Sequence, residues 1–309
     1  MHYRKLGRTG LEISVVGVGT WQFGGEWGRS YTTTDVAAIF AAAQDVGINF
    51  IDTAECYGDH LAESLIGQCV GAERDRWFIA TKWGHKFHEC FKRDRCFGAA
   101  DLMTQLDASL RALHTDHVDV LQFHSGDDDE FADAAMWETA AKAKEQGKVR
   151  FIGNSIGAND NVSQVDQSTS LGVDVIQVIY NRLQREPETA VFPSCQRQDL
   201  GVLARVPLAS GFLSGKYKPG HVFPADDVRE VWMKDGRDEK LRQVERIAAE
   251  EVPDGIALAP WALAWVLKNP AVTAVIPGCK DAAQVRANAA AATALDIGQT
   301  DHPMAVVRG

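Results

Sequence analysis

The feature that most constrains the fold is an alternation of short apolar runs with amphipathic segments along nearly the whole chain. Eight runs rich in β-branched or apolar residues recur at fairly regular intervals, at residues 14–19, 48–52, 77–82, 118–124, 150–155, 173–180, 201–206 and 272–277. Segments with helical spacing separate them, such as TDVAAIFAAAQDVG, which Thr34 or Asp35 can cap at its start and Gly47 at its end. Strands that alternate with helices pair in parallel through right-handed crossovers.

Eight such units predict a closed (β/α)8 TIM barrel rather than an open doubly wound sheet. No G-x-G-x-x-G follows the first strand, as an open dinucleotide fold would usually show. The 309 residues also lie within the size of one barrel, so we expect residues 1–309 to form a single domain. The first segment, HYRKLGRTGLEIS, predicts instead an N-terminal β-hairpin around Gly7 to Gly10, which in a barrel would close the bottom.

Two long segments follow predicted strands, at residues 83–101 and about 211–237. Loops after strands lie at the carboxyl-terminal face of a barrel, where barrel enzymes keep their active sites. We therefore expect these two segments to cover a cofactor and a substrate.

Charge and composition exclude several classes of function. The chain has 42 acidic against 32 basic residues, a net charge of −10, so it lacks the electrostatic footprint of a protein that binds nucleic acid or an anionic membrane. It has neither an apolar run of membrane-spanning length nor a signal peptide at its amino end, which predicts a cytoplasmic protein. Six cysteines form no Cys-x-x-Cys pair and predict reduced thiols. We expect no bound metal. The loop contains His85, His88, Cys90 and Cys96, but their spacing matches no standard zinc pattern.

Ionisable residues close three consecutive predicted strands. Asp52 ends the second strand, Lys82 the third and His124 the fourth, and Tyr57 follows Asp52 by five residues. Each one alone is also explained as a solvated strand end or a satisfied core residue. Because neighbouring strand ends meet at one rim of a barrel, the four together predict a catalytic site.

At these residues the sequence resembles the aldo-keto reductase family, from about residue 5 to 288. The segments that carry the resemblance are GVGTWQFG, the D-T-A-x-x-Y-G motif at Asp52 to Gly58 followed by AESLIG, the ATK ending at Lys82, the strand ending in His124, GKVRFIGNS, IQVIYN, PLASGFLSGKY and IPGCKDAAQVRAN. PLASGFLSGKY and the short carboxyl tail are more similar to bacterial branches of the family than to animal aldose reductases.

The resemblance implies the reduction of an aldehyde or ketone, or the reverse oxidation. It assigns Tyr57 as general acid, Lys82 and Asp52 as the pair that tunes it, and His124 as the residue that orients the carbonyl. A cation beside a tyrosine stabilises the phenolate and lowers a pKa that is ordinarily about 10. The hydride must come from a nicotinamide, because no side chain can donate one.

The resemblance also implies where NADPH binds. Thr20 and Asp52 would contact the nicotinamide ribose side, Ser155 and Gln177 the carboxamide, and Arg205 would pack on the ring. Further cofactor contacts are implied at Trp21, Leu208, Gly211, Lys216 and Gly278. Where many members read G-V-S-N, this chain reads Gly153, Asn154, Ser155, Ile156, so the usual second amide contact is missing unless Asn154 replaces it.

The adenosine end would lie after the last strand. Lys280 fits the residue for the 2′-phosphate and Asn288 the residue for adenine, with Gln284 between them on one helical face. Gly278 stands where aldose reductases often carry the phosphate-binding lysine. The preference for NADPH over NADH therefore depends mainly on Lys280, with Arg286 as a helper.

Four aromatic residues just after predicted strands could wall a substrate pocket: Trp21, Trp27, Trp83 and Phe212. The expected partner is a small carbonyl or alcohol, and the sequence specifies neither its identity nor an oligomeric state. The alternative function is a catalytically weak nicotinamide sensor, similar to the potassium-channel β subunits of the family. A metal-dependent barrel hydrolase would need more strand-end ligands than this one histidine.

Overall fold

A computed structural model describes residues 1–294 of the chain, and residues 295–309 of the predicted domain lie outside the described part. The strands are β1 Tyr3–Lys5, β2 Glu12–Ser14, β3 Val18–Gly19, β4 Phe50–Asp52, β5 Phe78–Trp83, β6 His85–Glu89, β7 Lys92–Arg95, β8 Val118–His124, β9 Val149–Ser155, β10 Val173–Ile179, β11 Gly201–Arg205 and β12 Ala274–Val275. The α-helices are α1 Thr33–Asp45, α2 Leu61–Val70, α3 Ala99–Ala112, α4 Asp128–Phe131, α5 Ala134–Glu145, α6 Val162–Asp166, α7 Phe192–Arg197, α8 Val228–Val231, α9 Arg237–Glu250, α10 Leu258–Lys268, α11 Ala282–Ala289 and α12 Ala291–Ala294.

Eight of these strands form one parallel sheet in the order β3-β4-β5-β8-β9-β10-β11-β12. Backbone hydrogen bonds also join its two ends: Gly17 donates to the carbonyl of Val275 at 2.8 Å, and Val275 donates to that of Val15 at 2.9 Å. This curled parallel sheet fits the predicted (β/α)8 barrel. All eight predicted strands are present, although β3 and β12 are each only two residues long and residue 14 belongs to β2.

Helices follow the strands and cover the outside of the sheet, where most of the buried apolar residues lie. The N-cap of helix α1 lies two or three residues before the predicted cap. Thr32 is its N-cap, and the Thr32 hydroxyl and the Asp35 carboxylate each accept the other residue's backbone N–H, a capping box. Gly47, with a φ of +79°, follows the end of the helix as predicted. None of the helices within residues 1–294 is long and apolar enough to cross a membrane.

A second buried cluster fills part of the inside of the sheet. It contains Phe50, Val120 and Val175 from the strands, together with Leu6 and Ile13 from the amino-terminal segment. That segment forms an antiparallel pair, β1 with β2.

The two predicted covering segments contain short elements of their own. Strands β6 and β7 pair as an antiparallel hairpin within residues 83–101, where the sequence predicts a loop. The second segment, 211–237, contains helix α8 and a short antiparallel bridge from Asp227 to Trp27. The second segment therefore contacts the loop that follows β3.

A glycine allows the loop after β3 to approach the loop that carries Tyr57. A Cβ on Gly24 would lie 2.6 Å from the carbonyl carbon of Tyr57 and 2.8 Å from the nitrogen of Gly58. Only a residue without a side chain permits this approach. The approach places the tyrosine beside the aromatic residues of the first loop.

Candidate active site

Polar side chains from four different strands meet inside the barrel near the carboxyl ends of the strands. Asp52 is on β4, Lys82 on β5, Gln122 on β8 and Gln177 on β10. Successive strand residues point to opposite faces, so a side chain that meets residues across the sheet must point into the barrel. The barrel interior is therefore polar near the carboxyl ends of the strands and apolar nearer their amino ends.

Lys82 lies at the centre of this layer. Its Nζ donates to Asp52 Oδ2 at 2.9 Å, to the carbonyl of Thr53 at 2.6 Å and to the Tyr57 hydroxyl at 3.4 Å. Lys82 is 1% exposed and Asp52 is 4% exposed. The structure thus brings together the tyrosine, the lysine and the aspartate that the sequence predicts as the acid and its tuning pair.

Two glutamines hold the other oxygen of Asp52. Gln177 Nε2 donates to Asp52 Oδ1 at 2.6 Å, and Gln122 Nε2 donates to the same atom at 3.2 Å. The sequence analysis missed Gln122, although it precedes His124 by two residues and so faces the same side of β8. Thr20 donates its hydroxyl to the backbone carbonyl of Asp52 at 2.9 Å, and Ser155 donates to Gln177 Oε1 at 3.2 Å.

Burial and charge act in opposite directions on the lysine and the tyrosine. Burial alone would lower the pKa of Lys82, but the carboxylate of Asp52 outweighs it and raises that pKa, so the lysine stays charged. Burial raises the pKa of Tyr57 to about 12, and Lys82 only partly opposes it. Lys82 lowers the pKa of Tyr57, as the sequence analysis expects of a neighbouring cation, but burial outweighs this effect in the protein without cofactor. The phenol keeps its proton at neutral pH.

His124 ends β8 and packs edge-on against Tyr57, with ring centroids 6.2 Å apart. Its Nδ1 lies 3.7 Å from Cys56 Sγ and 3.5 Å from Glu55 Oε1. Burial lowers the pKa of His124 well below its usual value, and the nearby charges of His85 and Lys82 lower it further. The imidazole is therefore neutral at physiological pH.

Glu55 is a second residue that the sequence analysis missed. It is buried, its Oε1 accepts the backbone N–H of His85 at 3.0 Å, and its Oε2 has no hydrogen-bond partner. Burial raises its pKa, and the charges of His85 and Lys82 only partly oppose this. No motif spacing distinguishes Glu55, since its role depends on a contact with a residue 69 positions away.

Arg205 ends β11 at the same rim. Its Nη2 donates to the carbonyl of Ile156 at 3.1 Å, while its Nε is buried without a partner. Ile156 is fully buried at the position of the usual family Asn. Asn154 Nδ2 donates to Gln164 Oε1 on α6 at 3.1 Å, outside the barrel.

The four predicted pocket residues occupy different surroundings. Trp21 stacks against Tyr57 at 6.3 Å and meets Trp27 edge-on at 5.2 Å, so these two lie at the mouth. The prediction for Trp83 is wrong: it is fully buried on the outer face of β5 against Phe123 and Trp137, because it alternates with the inward Lys82. Phe212 is also buried, packed against Phe223.

Two aromatic residues of the covering segments complete the rim beside Trp21. Trp232 lies 6.3 Å from Trp21 and 5.4 Å from Phe91, and it is 50% exposed. Sequence analysis missed both, since neither directly follows a strand of the barrel.

A buried glutamate joins the first loop to the β6–β7 hairpin. Glu26 Oε2 accepts the indole N–H of Trp21 at 2.6 Å and pairs with Arg93, and its Oε1 accepts the backbone N–H of Phe91 at 2.8 Å.

In the segment 211–237, Arg229 donates to Asp227 Oδ2 at 2.6 Å and lies over the ring of Trp27 at 5.3 Å. Both predicted covering segments, 83–101 and 211–237, therefore contact the loop after β3 at the mouth of the barrel.

The residues predicted for the adenosine end lie around the start of α11. The backbone N–H of Lys280 donates to Gln284 Oε1 at 2.8 Å, and Asn288 Nδ2 donates to the carbonyl of Gly278 at 3.4 Å. Arg286 pairs instead with Asp45 of α1 at 2.8 Å. Arg29, which the sequence analysis missed, donates to the carbonyl of Lys280 at 3.2 Å.

The remaining predicted cofactor residues lie in the segment after β11. Leu208 precedes a 3₁₀ turn over Ala209–Ser214, in which Gly211 has a φ of +90° and donates its N–H to the Leu208 carbonyl at 2.9 Å. Lys216 follows this turn and is exposed.

The histidines considered as loop metal ligands have other partners. His85 Nε2 lies 2.8 Å from the carbonyl of His124, and His88 pairs with Asp94. Within residues 1–294, the only group with metal-ligand geometry is Glu55, Cys56 and His124.

Known proteins match nearly the whole chain. Residues 15–303 match the Aldo/keto reductase family. "Aldo-keto reductase YhdN" of Bacillus subtilis (strain 168) is 31% identical over 305 residues, 93% of this chain and 87% of the relative. A "Probable voltage-gated potassium channel subunit beta" of Arabidopsis thaliana is 29% identical over 306 residues, 93% of this chain and 90% of the relative. The solved holo form of aldo-keto reductase AKR11C1 from Bacillus halodurans is similar at a TM-score of 0.81 and 27% identity, covering 98% of this chain and 95% of that one.

Proposed function

Because the chain belongs to the aldo-keto reductase family, we propose that it transfers a hydride between NADPH and a carbonyl compound, reducing an aldehyde or ketone to an alcohol or running the reverse oxidation. The observation that carries the proposal is Lys82 Nζ, which joins Asp52 at 2.9 Å to the hydroxyl of Tyr57 at 3.4 Å beside His124. These groups are suited to protonate an oxygen that gains negative charge.

In this mechanism Tyr57 donates its proton to the carbonyl oxygen as the hydride arrives at carbon. A pKa of about 12 keeps that proton in place at neutral pH. The charge of Lys82 stabilises the phenolate that remains, and Asp52 holds Lys82 charged and oriented. The strength of the acid thus depends on a buried ion pair and not on Tyr57 alone.

His124 would hold the substrate oxygen next to Tyr57. A neutral imidazole carries one N–H, so only one of its nitrogens can donate. The thiol of Cys56 lies 3.7 Å from Nδ1 and can donate to it, which leaves the N–H on Nε2 for the substrate. The lowered pKa of His124 supports this neutral form.

The residues at the mouth fit a nicotinamide cofactor, which supplies the hydride when bound. The buried Nε of Arg205 has no protein partner, as expected of a side chain that packs against a bound group. Thr20, Ser155 and Gln177 lie in the same hydrogen-bonded layer as Asp52. Gln177 and Ser155 would meet the carboxamide, and Leu208, Gly211 and Lys216 would cover the pyrophosphate side.

The preference for NADPH over NADH is proposed to depend on Lys280. Substituting Ala for Lys280 would remove a charge-assisted contact to the 2′-phosphate worth about 1.5 to 3 kcal/mol, which raises the dissociation constant of NADPH by roughly 10- to 150-fold. NADH binding would barely change. Titrations of both cofactors, followed by protein fluorescence, measure the difference.

Equal losses for both cofactors, or no loss for either, would contradict the assignment of Lys280. Arg29→Ala is the informative second variant, because the Arg29 side chain is a cation that contacts the Lys280 backbone at 3.2 Å. Arg286 is bound to Asp45, so Arg286→Ala is the matched control and leaves both dissociation constants unchanged.

The substrate pocket is proposed to be lined by Trp21, Trp27, Trp232 and Phe91. These rings form a continuous edge-to-face and tilted cluster that extends from Tyr57. Large aromatic surfaces favour a carbonyl compound with an apolar or aromatic side group.

An alternative is a nicotinamide sensor that binds cofactor and hardly consumes it, favoured by the 29% identity to a probable potassium-channel β subunit. We expect the purified protein to oxidise NADPH with several members of a panel of small, aliphatic and aromatic aldehydes. The absorbance of NADPH follows the reaction. Tight NADPH binding without turnover on any member of the panel would favour the sensor and contradict the reductase.

We further propose that residues 1–309 form one domain in the cytoplasm and that the β1–β2 hairpin closes the bottom of the barrel. The burial of Leu6, Leu11 and Ile13 in one cluster with inward residues of six strands supports the hairpin's position. Phe50 and Ala80 of this cluster precede Asp52 and Lys82 by two residues on the same strands. This supports a position for the cluster nearer the amino ends of the strands than the candidate site.

A further inference from the structure

Three potential metal ligands, Glu55, Cys56 and His124, lie close together near the proposed acid Tyr57. Cys56 Sγ lies 3.7 Å and Glu55 Oε1 lies 3.5 Å from His124 Nδ1, and the three ligand atoms all lie within 4.8 Å of one another. Zinc binds sulfur at about 2.3 Å and nitrogen or oxygen at about 2.0–2.2 Å in a tetrahedron, so adjacent ligand atoms are separated by about 3.3 to 3.6 Å. Two of the three separations are therefore already close to the values that a bound zinc ion requires.

Two of the nearby cations are already paired with other carboxylates. Lys82 is bonded to Asp52, and Arg93 is bonded to Glu26. Glu55 is bonded to no lysine or arginine among residues 1–294; its Oε1 meets a backbone N–H and His124, and its buried Oε2 has no partner. An unpartnered carboxylate oxygen inside a protein is costly, and a bound cation removes that cost.

From this geometry we propose that Glu55, Cys56 and His124 bind one zinc ion. Carboxylate, thiolate and imidazole are all ligands that zinc accepts, and three protein ligands leave the fourth position for water. On binding, the Cys56 thiol gives its proton to solvent and its sulfur bonds to the metal, so the ion's two positive charges are balanced by one thiolate and one carboxylate. This site does not include the loop residues His85, His88, Cys90 and Cys96. A zinc ion bound there would depart from the expectation of no metal.

The ion can reach the site through the mouth of the barrel. The side chain of His124 is 12% exposed, and Tyr57, next to Cys56 in the chain, is partly exposed at the rim. The site shares His124 with the proposed active site but includes neither Lys82 nor Asp52.

The test measures metal binding directly, with no cofactor or substrate present. After treatment with a chelator, the protein should take up one zinc ion per chain in competition with a chromophoric chelator. Cobalt(II) in place of zinc should produce a thiolate-to-cobalt charge-transfer band. In Cys56→Ser the band should be absent, and zinc affinity should fall on the order of 100-fold or more, at least as much as the loss of an outer-shell partner costs.

Cys90→Ser is the matched control, because Cys90 is an exposed thiol in the β6–β7 turn. It should keep both the cobalt band and the zinc affinity. Glu55→Gln keeps the size of the side chain and should weaken zinc binding while the cobalt–thiolate band remains, which tests the site even if Cys56→Ser fails to fold. No uptake by the parent protein, or a cobalt band that survives in Cys56→Ser and disappears in Cys90→Ser, would overturn the proposal. The uptake experiments contain neither cofactor nor substrate, so their outcome does not depend on whether the protein reduces carbonyl compounds.

Discussion

Replacing Tyr57 with Phe is expected to lower carbonyl reduction by roughly 100-fold or more, the scale of general acid catalysis. The substitution removes one hydroxyl and leaves the ring that stacks on Trp21 and packs against His124. It also leaves the Lys82–Asp52 bond at 2.9 Å, since that contact does not involve the tyrosine. NADPH affinity should therefore change little, and kcat should account for the loss.

Steady-state rates with the best aldehyde of the panel, together with a fluorescence titration of NADPH, measure both quantities. Tyr3→Phe is the matched control: Tyr3 lies on β1 and donates its hydroxyl to the carbonyl of Gly47 after α1, away from the mouth. An undiminished rate in Tyr57→Phe would remove Tyr57 from the role of acid. A loss of NADPH binding equal to the loss of rate would show that the substitution acts through the cofactor site.

Replacing Lys82 with Met is expected to remove most of the activity and also to destabilise the protein. The variant keeps the phenol but lacks the charge that opposes burial, so the pKa of Tyr57 should rise further. The pH dependence of the residual rate should then differ from that of the parent protein. Asp52 would keep its hydrogen bonds from two glutamines but lose its cation, and breaking one partner of a buried pair costs roughly 3 to 5 kcal/mol.

The double variant Lys82→Met with Asp52→Asn separates the two effects. Removing both charges should recover much of the lost stability, because no unpaired buried charge remains, while the rate should stay low. Thermal melting and the pH dependence of kcat/KM measure the two properties. An unaltered pH profile in Lys82→Met, or recovery of activity in the double variant, would mean that another group tunes the tyrosine.

Local patterns were sufficient to predict the barrel strands and the residues at their ends. Asp52, Lys82 and His124 end or nearly end β-branched runs, and parallel strands bring their carboxyl ends to one rim in any barrel. The same period of two places Gln122 on the side of His124 and Trp83 opposite Lys82. Trp83 follows the end of a predicted strand in the chain, but the strand places its side chain on the face opposite the barrel interior.

Other parts of the site depend on contacts between residues distant in sequence. Trp232 and Phe91 belong to separate covering segments and meet only because each segment packs at the mouth. Glu55 gains its significance from His124, 69 residues away, and Arg29 from the backbone of Lys280. Neither spacing nor composition encodes such pairs.

The pattern of strands and helices determined the barrel architecture and which residues stand at its rim, because both follow from a periodicity that each segment carries by itself. Tertiary structure decided how acidic those residues are. Tyr57 has a pKa of about 12 because burial by neighbouring segments outweighs the charge of Lys82. Desolvation depends on everything that surrounds a group, which only the complete fold supplies.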